Sequence, residues 1–288
     1  MYTMTPAAFD YHRPTSVDEA LSLLAADEET RPLAGGHSLI PAMKIRLATP
    51  SALVDLGGIP GLDEIERDGD ELVIGALATH GAVASSAVVQ EACPMLAEAA
   101  ALIGDRQVRN RGTIGGSIAH ADPAADYPTV TTALGATIVT ASKSGGRSIP
   151  AKDVFVDVFT TALEPGELIT SVRIPATPAG TGAAYVKHAH PASRYAVVGV
   201  AAVVGIENGA CSSARLVVGG ATPAPVVVGI DELIGQAPSA ETIAAAAAHV
   251  PDAIATPLAD TYASGDYRKH LAEITARRAI AAAVDRTG

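Results

Sequence analysis

Two pairs of adjacent glycines are the residues of this 288-residue chain whose type and spacing point most directly to ligand chemistry. One pair lies within residues 33–41, LAGGHSLIP, and the other lies within residues 113–126, TIGGSIAHADPAAD. Neighbouring glycines allow positive φ angles, expose backbone N–H groups and let a ligand approach without a Cβ clash. Each segment is therefore a candidate cradle for a phosphate group, and an ordinary tight turn is the alternative for each.

A carboxylate and a helix start accompany these glycines. Asp126 follows Gly116 by ten residues, and its side chain can accept hydrogen bonds from ribose or ribityl hydroxyls. The alternative is that Asp126 only caps a helix that begins at Tyr127. A short helix predicted after Pro41 would direct its positive N-terminal end toward an anion at the first glycine pair.

The sequence lacks several motifs that would indicate other chemistry. It contains no G-x-G-x-x-G, G-x-x-x-x-G-K-[ST], G-x-S-x-G or H-E-x-x-H, which disfavours Rossmann and Walker phosphate sites, hydrolase nucleophiles and zinc peptidases. The two cysteines, Cys93 and Cys211, form no C-x-x-C and cannot by themselves ligate an iron–sulfur cluster or a tetrahedral zinc ion. His188 and His190 would share one face of a strand, but no third ligand is evident and Pro191 indicates a turn. We therefore predict no metal site and no catalytic side chain.

The composition excludes several classes of function. Hydrophobic residues make up 48% of the chain and charged residues 18%, which is typical of a globular protein. Aromatic residues make up only 3%, and the net charge of −11 repels phosphate backbones and anionic membranes. The longest apolar stretch, residues 195–206, is shorter than the roughly 20 residues that a membrane span needs. We expect a soluble cytoplasmic protein with reduced cysteines, which binds no nucleic acid and has no membrane span.

A few basic residues are local exceptions in this acidic chain, namely Lys44, Arg46, Arg106, Arg109 and Arg111. Such residues can face the phosphates of a ligand or the surface of a partner subunit. Solvated surface positions are the alternative, because most arginines and lysines are exposed.

Helical spacing and apolar runs predict the elements that hold the first glycine pair. Residues 16–19, SVDE, form a capping box, and the apolar residues behind it predict a helix that ends near Ala26. A strand over 31–34 leads into the glycines, a short helix follows over 41–47, and the next strand covers 52–56. This βαβ-like order places the glycines at the end of a strand.

The remaining chain divides at residues 175–180, PATPAG, which is a turn-forming segment. Before it, we predict strands over 71–74, 137–140 and 168–174, and helices over 82–86 and 95–102. After it, apolar strands over 195–206 and 215–218 precede alanine-rich helices over 241–249 and 267–284. We therefore expect an α+β protein with one domain over 1–176, itself divided into subdomains of about 1–56 and 57–176, and a C-terminal domain over 177–288.

Taken together, AGGHSLIPAMK (residues 34–44) and GTIGGSIAHADPAADYP (residues 112–128) resemble the FAD-binding medium subunits of molybdenum hydroxylases. The resemblance is greatest to the medium subunit of aerobic carbon monoxide dehydrogenases, and xanthine dehydrogenases carry the same flavin module as a central domain. GELITSVRIP (166–175) and YVKHAHPASRYAVVGVA (185–201) follow in the order of the family, so the resemblance covers essentially the whole chain.

The resemblance implies a fold and a set of FAD-binding residues. The fold is a two-subdomain FAD-binding module of the vanillyl-oxidase type, followed by a smaller sheet-plus-helices domain. The first FAD loop would comprise Pro32, Leu33, Ala34, Gly35, Gly36, His37, Ser38 and Leu39. The second would comprise Thr113, Ile114, Gly115, Gly116 and Ser117, and both loops would hold the pyrophosphate through backbone N–H groups. The other implied contacts are Ile103, Asp126, Ile169, Lys187 and Tyr195, with Asp126 near the polyol chain of the flavin and Tyr195 over its ring system.

The resemblance also implies an oxidoreductase subunit that does not act on substrate by itself. In such complexes a large molybdenum subunit oxidises the substrate, and a small subunit with two [2Fe–2S] clusters passes electrons to FAD, which yields them to quinone, NAD or oxygen. This chain would then work in a heteromeric complex, a dimer of heterotrimers, in aerobic carbon monoxide oxidation, and association of that complex with the inner face of the membrane is compatible with this role. The alternatives are the medium subunit of a xanthine- or aldehyde-type dehydrogenase, a stand-alone FAD oxidoreductase, and a flavin-free scaffold or nucleotide-binding module.

Overall fold

The computed structural model describes residues 4–287, which form fourteen β-strands in four sheets together with eleven α-helices. The strands are β1 (Asp10–His12), β2 (Arg31–Leu33), β3 (Ala52–Asp55), β4 (Ile65–Asp68), β5 (Glu71–Gly75), β6 (Thr137–Ala141), β7 (Ser148–Pro150), β8 (Phe155–Asp157), β9 (Thr160–Thr161), β10 (Leu168–Pro175), β11 (Thr181–Ala189), β12 (Ala196–Glu207), β13 (Ala210–Gly219) and β14 (Val226–Val228). The helices are α1 (Val17–Ala26), α2 (Leu39–Lys44), α3 (His80–Ser85), α4 (Ala87–Ala92), α5 (Pro94–Leu102), α6 (Arg106–Arg109), α7 (Ile114–His120), α8 (Asp126–Leu134), α9 (Ala240–Ala248), α10 (Val250–Ala253) and α11 (Gly265–Val284). None of these helices is long and apolar enough to cross a membrane.

The N-terminal sheet has three parallel strands in the order β1-β3-β2. Helix α1 connects the outer strands and begins where Ser16 Oγ accepts a hydrogen bond from the backbone N–H of Glu19. Its buried face, with Leu21 and Leu24, packs against Val54 of the central strand. The loop of residues 34–38 leaves the carboxyl end of β2, so the predicted βαβ-like opening and the place of the first glycine pair are confirmed.

The second sheet is antiparallel and has the order β4-β5-β10-β6-β7. Its central strand, β10, is the last of the five in the sequence, and pairs with β5 on one side and β6 on the other. Helices α3 to α8 lie in the chain between β5 and β6, and all nine residues of α8 are buried. The second glycine pair lies within this helical block, in α7.

The third sheet is an antiparallel meander of β11 to β14 in sequence order. Helix α8 packs against β12 and β13, while α11 packs against β11 and β12. The long strand β12, AVVGVAAVVGIE, is buried along most of its length because both faces of the sheet are covered. The predicted order of strands and then helices after residue 180 is confirmed.

One expectation about local structure was wrong, and several strands were not predicted. The second glycine pair does not lie in an open loop, because residues 114–120 form helix α7 with Thr113 as its N-cap. Several short strands were missed, including β1, β4, β7 and β8, each of three or four residues. Strands of this length carry too few residues to show an alternating pattern, and their partners in the sheet, rather than their own sequence, hold them extended.

Candidate functional site

A cavity of about 860 Å³ lies where the two N-terminal sheets meet the connection between β11 and β12. Its volume is in the range of pockets that bury a large organic ligand. All of the predicted FAD-binding residues except Ile114 and Lys187 line it. Residues separated by up to 163 positions, from Pro32 to Tyr195, are therefore brought to one place.

The first glycine loop contributes unused hydrogen-bond donors to this cavity. Among the hydrogen bonds between described residues, none uses a backbone N–H of residues 34–39 as its donor. Gly36 has a φ of +76°, a left-handed conformation that favours glycine. Consecutive free N–H groups at such a turn form a concave site for an anion. Free donors at a left-handed turn are what a phosphate cradle requires.

Gly35 is required for a different reason than the sequence suggested. A Cβ at this position would lie 2.1 Å from the carbonyl oxygen of Arg111 and 2.8 Å from the Cα atom of Gly112. The missing side chain thus allows the loop to contact the protein backbone behind it. The glycine holds two segments together rather than simply making room for a ligand.

The backbone N–H groups of the second glycine segment are used within the protein. Those of Ile114 and Gly115 donate to Ala78 O and Ala76 O, at 3.0 and 2.9 Å. Those of Gly116 and Ser117 donate to Thr113, at 3.2 Å to its Oγ1 and 3.0 Å to its carbonyl oxygen. The start of the helix therefore uses these four donors within the protein. The segment instead forms a wall of the cavity, where the Ser117 hydroxyl is half-buried.

Asp126 is the first residue of α8 and not its cap, which is Ala125. Its carboxylate accepts hydrogen bonds from the Tyr185 hydroxyl at 2.6 Å and from Lys187 Nζ at 2.9 Å. Lys187 Nζ also donates to Leu102 O at 3.1 Å. Burial raises the pKa of Asp126, and the nearby lysine and the two hydrogen bonds oppose that rise. The capping alternative is wrong, since this side chain links α8 to strand β11.

Three predicted contacts, Ile103, Ile169 and Tyr195, line the cavity from different elements. Ile103 ends helix α5, and Arg109 Nη1 donates to its carbonyl oxygen at 2.9 Å, which fixes this edge. Ile169 is buried at the start of β10, whereas Tyr195 is 42% exposed just before β12. Partial burial raises the pKa of the Tyr195 hydroxyl, so the hydroxyl stays protonated at neutral pH.

The basic residues singled out in the sequence have separate roles. Arg109 holds the backbone at residues 103–104 through its hydrogen bonds. Lys44 and Arg111 line a smaller pocket of about 300 Å³, together with His37 and the two glycines of the first loop. Arg46 and Arg106 are exposed.

His80 and Glu167 also line the cavity, and the sequence analysis missed both. His80 is 5% exposed, and burial lowers its pKa to about 4, with smaller contributions from His37 and Arg109. Glu167 accepts hydrogen bonds from Arg147 and Thr140, and the Arg147 guanidinium lowers its pKa to about 2. A single histidine after a helix cap and a glutamate in a turn carry no motif that would have identified them.

Potential metal ligands are dispersed. Among residues 4–287 no group of three or more histidine, cysteine, aspartate or glutamate side chains is placed to hold a metal ion. His190 Nδ1 instead accepts hydrogen bonds from the backbone N–H groups of Ala192 and Ser193, which form the turn before Tyr195. Cys93 and Cys211 are free and buried.

Two family models match the chain. Residues 7–177 match the FAD binding domain in molybdopterin dehydrogenase, and residues 183–283 match the CO dehydrogenase flavoprotein C-terminal domain.

Relatives match nearly the whole length. The chain is 40% identical to the 6-hydroxypseudooxynicotine dehydrogenase complex subunit alpha of Paenarthrobacter nicotinovorans, over 98% of this chain and 97% of that one. It is also 40% identical to the carbon monoxide dehydrogenase medium chain of Hydrogenophaga pseudoflava, over 97% and 98%. Among solved structures, carbon monoxide dehydrogenase from Hydrogenophaga pseudoflava matches with a TM-score of 0.95 at 40% identity, covering 98% of this chain and 99% of that one. Quinoline 2-oxidoreductase from Pseudomonas putida 86 matches with a TM-score of 0.92 at 35% identity, covering 98% of each chain.

Proposed function

This chain belongs to the family of FAD-binding subunits of molybdopterin dehydrogenases, and on that premise we propose that it is the FAD-carrying electron-transfer subunit of a molybdenum hydroxylase. The observation that carries the proposal is the 860 Å³ cavity, which is lined by the first glycine loop with its free backbone N–H groups. When bound, FAD supplies the one- and two-electron chemistry that the side chains lack. The protein then supplies position and electrostatics.

The cavity fits FAD in its distribution of polar and apolar groups. The N–H groups of residues 34–39 would hold the pyrophosphate, because these donors are free and their loop lines the cavity. Ser117 and Asp126 would face sugar or polyol hydroxyls, since both residues line the cavity and carry oxygen atoms in their side chains. The apolar side chains of Ile103 and Ile169 and the ring of Tyr195 would contact the flavin ring system. Ile114 and Lys187 would act indirectly. Ile114 would support the cavity from the core, and Lys187 would act through its contact with Asp126.

The domain division follows from the same family. We assign residues 1–176 to FAD binding, with subdomains of about 1–56 and 57–176, and residues 177–288 to the C-terminal part. The two family models, which match residues 7–177 and 183–283, support this division. Strand β10 ends just before residues 176–180, and strand β11 begins just after them.

We propose that the partners are a small subunit with [2Fe–2S] clusters and a large molybdenum subunit, assembled as a dimer of heterotrimers. The names of the relatives support this assembly, because they describe medium chains and a subunit of a dehydrogenase complex. The chain would pass electrons from the clusters to quinone, NAD or oxygen. No part of this role requires a general acid or base on the chain.

Carbon monoxide is the substrate that we propose for the large subunit. Two carbon monoxide dehydrogenase medium chains, at 39% and 40% identity, support it. The relative named for 6-hydroxypseudooxynicotine is equally similar, at 40%, so an N-heterocycle is the competing substrate class. A test of the substrate must therefore include both.

We propose a cytoplasmic complex, and two buried free thiols support a reducing compartment. We extend this proposal to a complex that is attached to the inner face of the membrane through its partner subunits. Cell fractionation followed by detection of the chain distinguishes a cytosolic complex from a membrane-bound one.

Cofactor binding is tested by titrating the purified full-length chain with FAD and following flavin fluorescence. We expect saturable binding with one FAD per chain. The binding should be reversible, because the partner subunits that would further order the loops around the cofactor are absent from this experiment. A chain that binds no flavin under these conditions would contradict the proposal and favour a flavin-free scaffold.

The subunit role is tested by isolating the tagged chain from its own cells and measuring the molybdenum and iron that accompany it. We expect both metals in the complex, with dye reduction driven by carbon monoxide and none by the isolated chain. Dye reduction driven by an N-heterocycle instead would reassign the substrate. Turnover by the isolated chain would favour a stand-alone FAD oxidoreductase.

A further inference from the structure

His80 is a buried polar side chain at the FAD cavity without a hydrogen-bond partner. It is the first residue of α3, it is 5% exposed, and it lines the cavity. Neither ring nitrogen bonds to another described residue, and Nδ1 is closed to solvent. Nearly all buried polar groups in proteins have a partner. Nε2 is not enclosed in this way, so it is the ring nitrogen that a ligand in the cavity can reach.

The position of the ring relates it to the anion-binding loop. A Cβ on Gly112 would lie 2.5 Å from His80 Nε2, and a Cβ on Gly35 would lie 2.8 Å from the Cα atom of Gly112. His80, Gly112 and Gly35 thus form successive layers, and all three line the cavity. Gly112 therefore lies between His80 Nε2 and the first glycine loop, and the edge of the ring that carries Nε2 is on that side.

The protonation state of the ring suits an uncharged hydrogen bond. The ring is neutral near pH 7, because burial lowers its pKa to about 4. A neutral imidazole has one N–H donor and one acceptor nitrogen. FAD offers phosphate, ribityl and ring oxygens that accept a hydrogen bond from such a donor.

We propose that His80 is a further cofactor-binding residue, whose neutral imidazole donates a hydrogen bond from Nε2 to an oxygen of FAD beside the first glycine loop. This inference rests on the proposed FAD binding and adds a side-chain contact to a site otherwise formed by backbone groups. A hydrogen bond from Nε2 would add directly to the affinity for the cofactor.

A structural role is the competing explanation. The Tyr127 hydroxyl is also buried without a partner, and its ring centroid lies 5.3 Å from that of His80. A hydrogen bond from this hydroxyl to Nδ1 would satisfy both groups inside the core. Such a bond would also favour the proposed contact with FAD. Nδ1 would then accept a hydrogen bond, and the ring hydrogen would lie on Nε2.

Three single variants of the full-length chain separate these roles: His80→Leu, His80→Gln and Tyr127→Phe. Each is measured twice, by FAD titration and by thermal unfolding of the FAD-free chain. For His80→Leu we expect an FAD dissociation constant about tenfold higher than wild type, because one hydrogen bond is lost. Its FAD-free melting temperature should be unchanged or higher, since an apolar side chain replaces an unpaired polar one. His80→Gln, whose amide nitrogen can occupy the place of Nε2, should retain an affinity within about threefold of wild type.

Other results would overturn the inference. An unchanged dissociation constant in His80→Leu would show that FAD does not use the ring. A lower FAD-free melting temperature in both His80→Leu and Tyr127→Phe, with equal loss of FAD affinity in the two, would assign a structural role. Wild-type chain without FAD affinity would instead contradict the proposed function, and this inference with it.

Discussion

Asp126 and Lys187 form a buried ion pair, 2.9 Å long, that joins helix α8 to strand β11. Both side chains are only 4% exposed, and Tyr185 completes the hydrogen bonds of the carboxylate. Breaking such a pair leaves an uncompensated charge in the interior, which costs more than the pair contributes. Asp126 therefore has a structural function in addition to its place at the cavity.

We predict that Asp126→Asn lowers the free energy of unfolding by about 3 kcal/mol, because the Lys187 ammonium remains buried without a counter-charge. The double variant Asp126→Asn, Lys187→Met should recover part of this loss, since it removes the orphaned charge. Urea unfolding followed by circular dichroism measures both. Glu98→Gln is the matched control, because its pair with Arg286 is exposed and should contribute less than about 1 kcal/mol. Equal stabilities of Asp126→Asn and wild type would contradict the prediction.

The lowered pKa of His80 predicts a specific loss of stability in acid. The unfolded chain binds a proton at this residue near pH 6.5, whereas the folded chain does so only near pH 4. The stabilisation contributed by this group is therefore complete above pH 6.5. The free energy of unfolding falls by up to about 3 kcal/mol as the pH decreases through 4. Urea unfolding of the FAD-free chain between pH 7 and 4 measures the fall. His80→Gln should show a shallower pH dependence, and parallel profiles for the two proteins would refute the assignment.

Among the elements, the first glycine loop depends on its contact with the segment before α7. Strand β2 directs the loop out of the parallel sheet, and the carbonyl of Arg111 limits its position from behind. The N–H groups of residues 34–39 stay free because the loop neither continues the sheet nor starts the helix until Leu39. The anion site is thus a product of two segments that are far apart in the sequence.

We predict that Gly35→Ala weakens FAD binding by at least about tenfold and lowers the free energy of unfolding by about 1–3 kcal/mol. Its Cβ would lie 2.1 Å from a backbone oxygen, so the two segments must separate. Gly229→Ala is the control, since the nearest atom to its Cβ is 3.9 Å away and the φ angle there is not positive. FAD titration and urea unfolding provide the measurements. Retention of wild-type affinity in Gly35→Ala would mean that the loop is an ordinary turn.

Across the whole molecule, the C-terminal sheet completes the core of the FAD-binding part. Tyr185, Ala201 and Val217 of this sheet belong to the same hydrophobic cluster as the residues of α5 and α8. The opposite face of the sheet forms a second cluster with α9 and α11. The sheet is therefore shared, and the two parts of the chain depend on one another for burial.

We predict that residues 1–176 alone do not fold cooperatively. The fragment lacks the C-terminal sheet, so α8 would become exposed. All residues of this helix are buried in the full chain. A fragment with this exposed apolar surface should bind the dye ANS and show a broad thermal transition by circular dichroism. A sharp transition with no dye binding would instead show an independently folding domain.

The sequence by itself determined the elements with strong local signals. The apolar strands β5, β6, β10, β12 and β13 were predicted, and so were helices α1, α5, α9 and α11. The place of the first glycine pair at a strand end also followed from local order, because a strand, a turn and a helix succeed one another within 14 residues there. The motifs that carry the family resemblance are equally local.

Only the tertiary structure decided which of these residues act together. The ion pair between Asp126 and Lys187 joins positions 61 residues apart, and no local pattern records it. The burial of His80 and the use of the second glycine segment as a helix start likewise depend on the chain packed around them. Hydrophobic spacing specifies which face of an element is buried, whereas the partner of a polar side chain is set by the packing of distant elements.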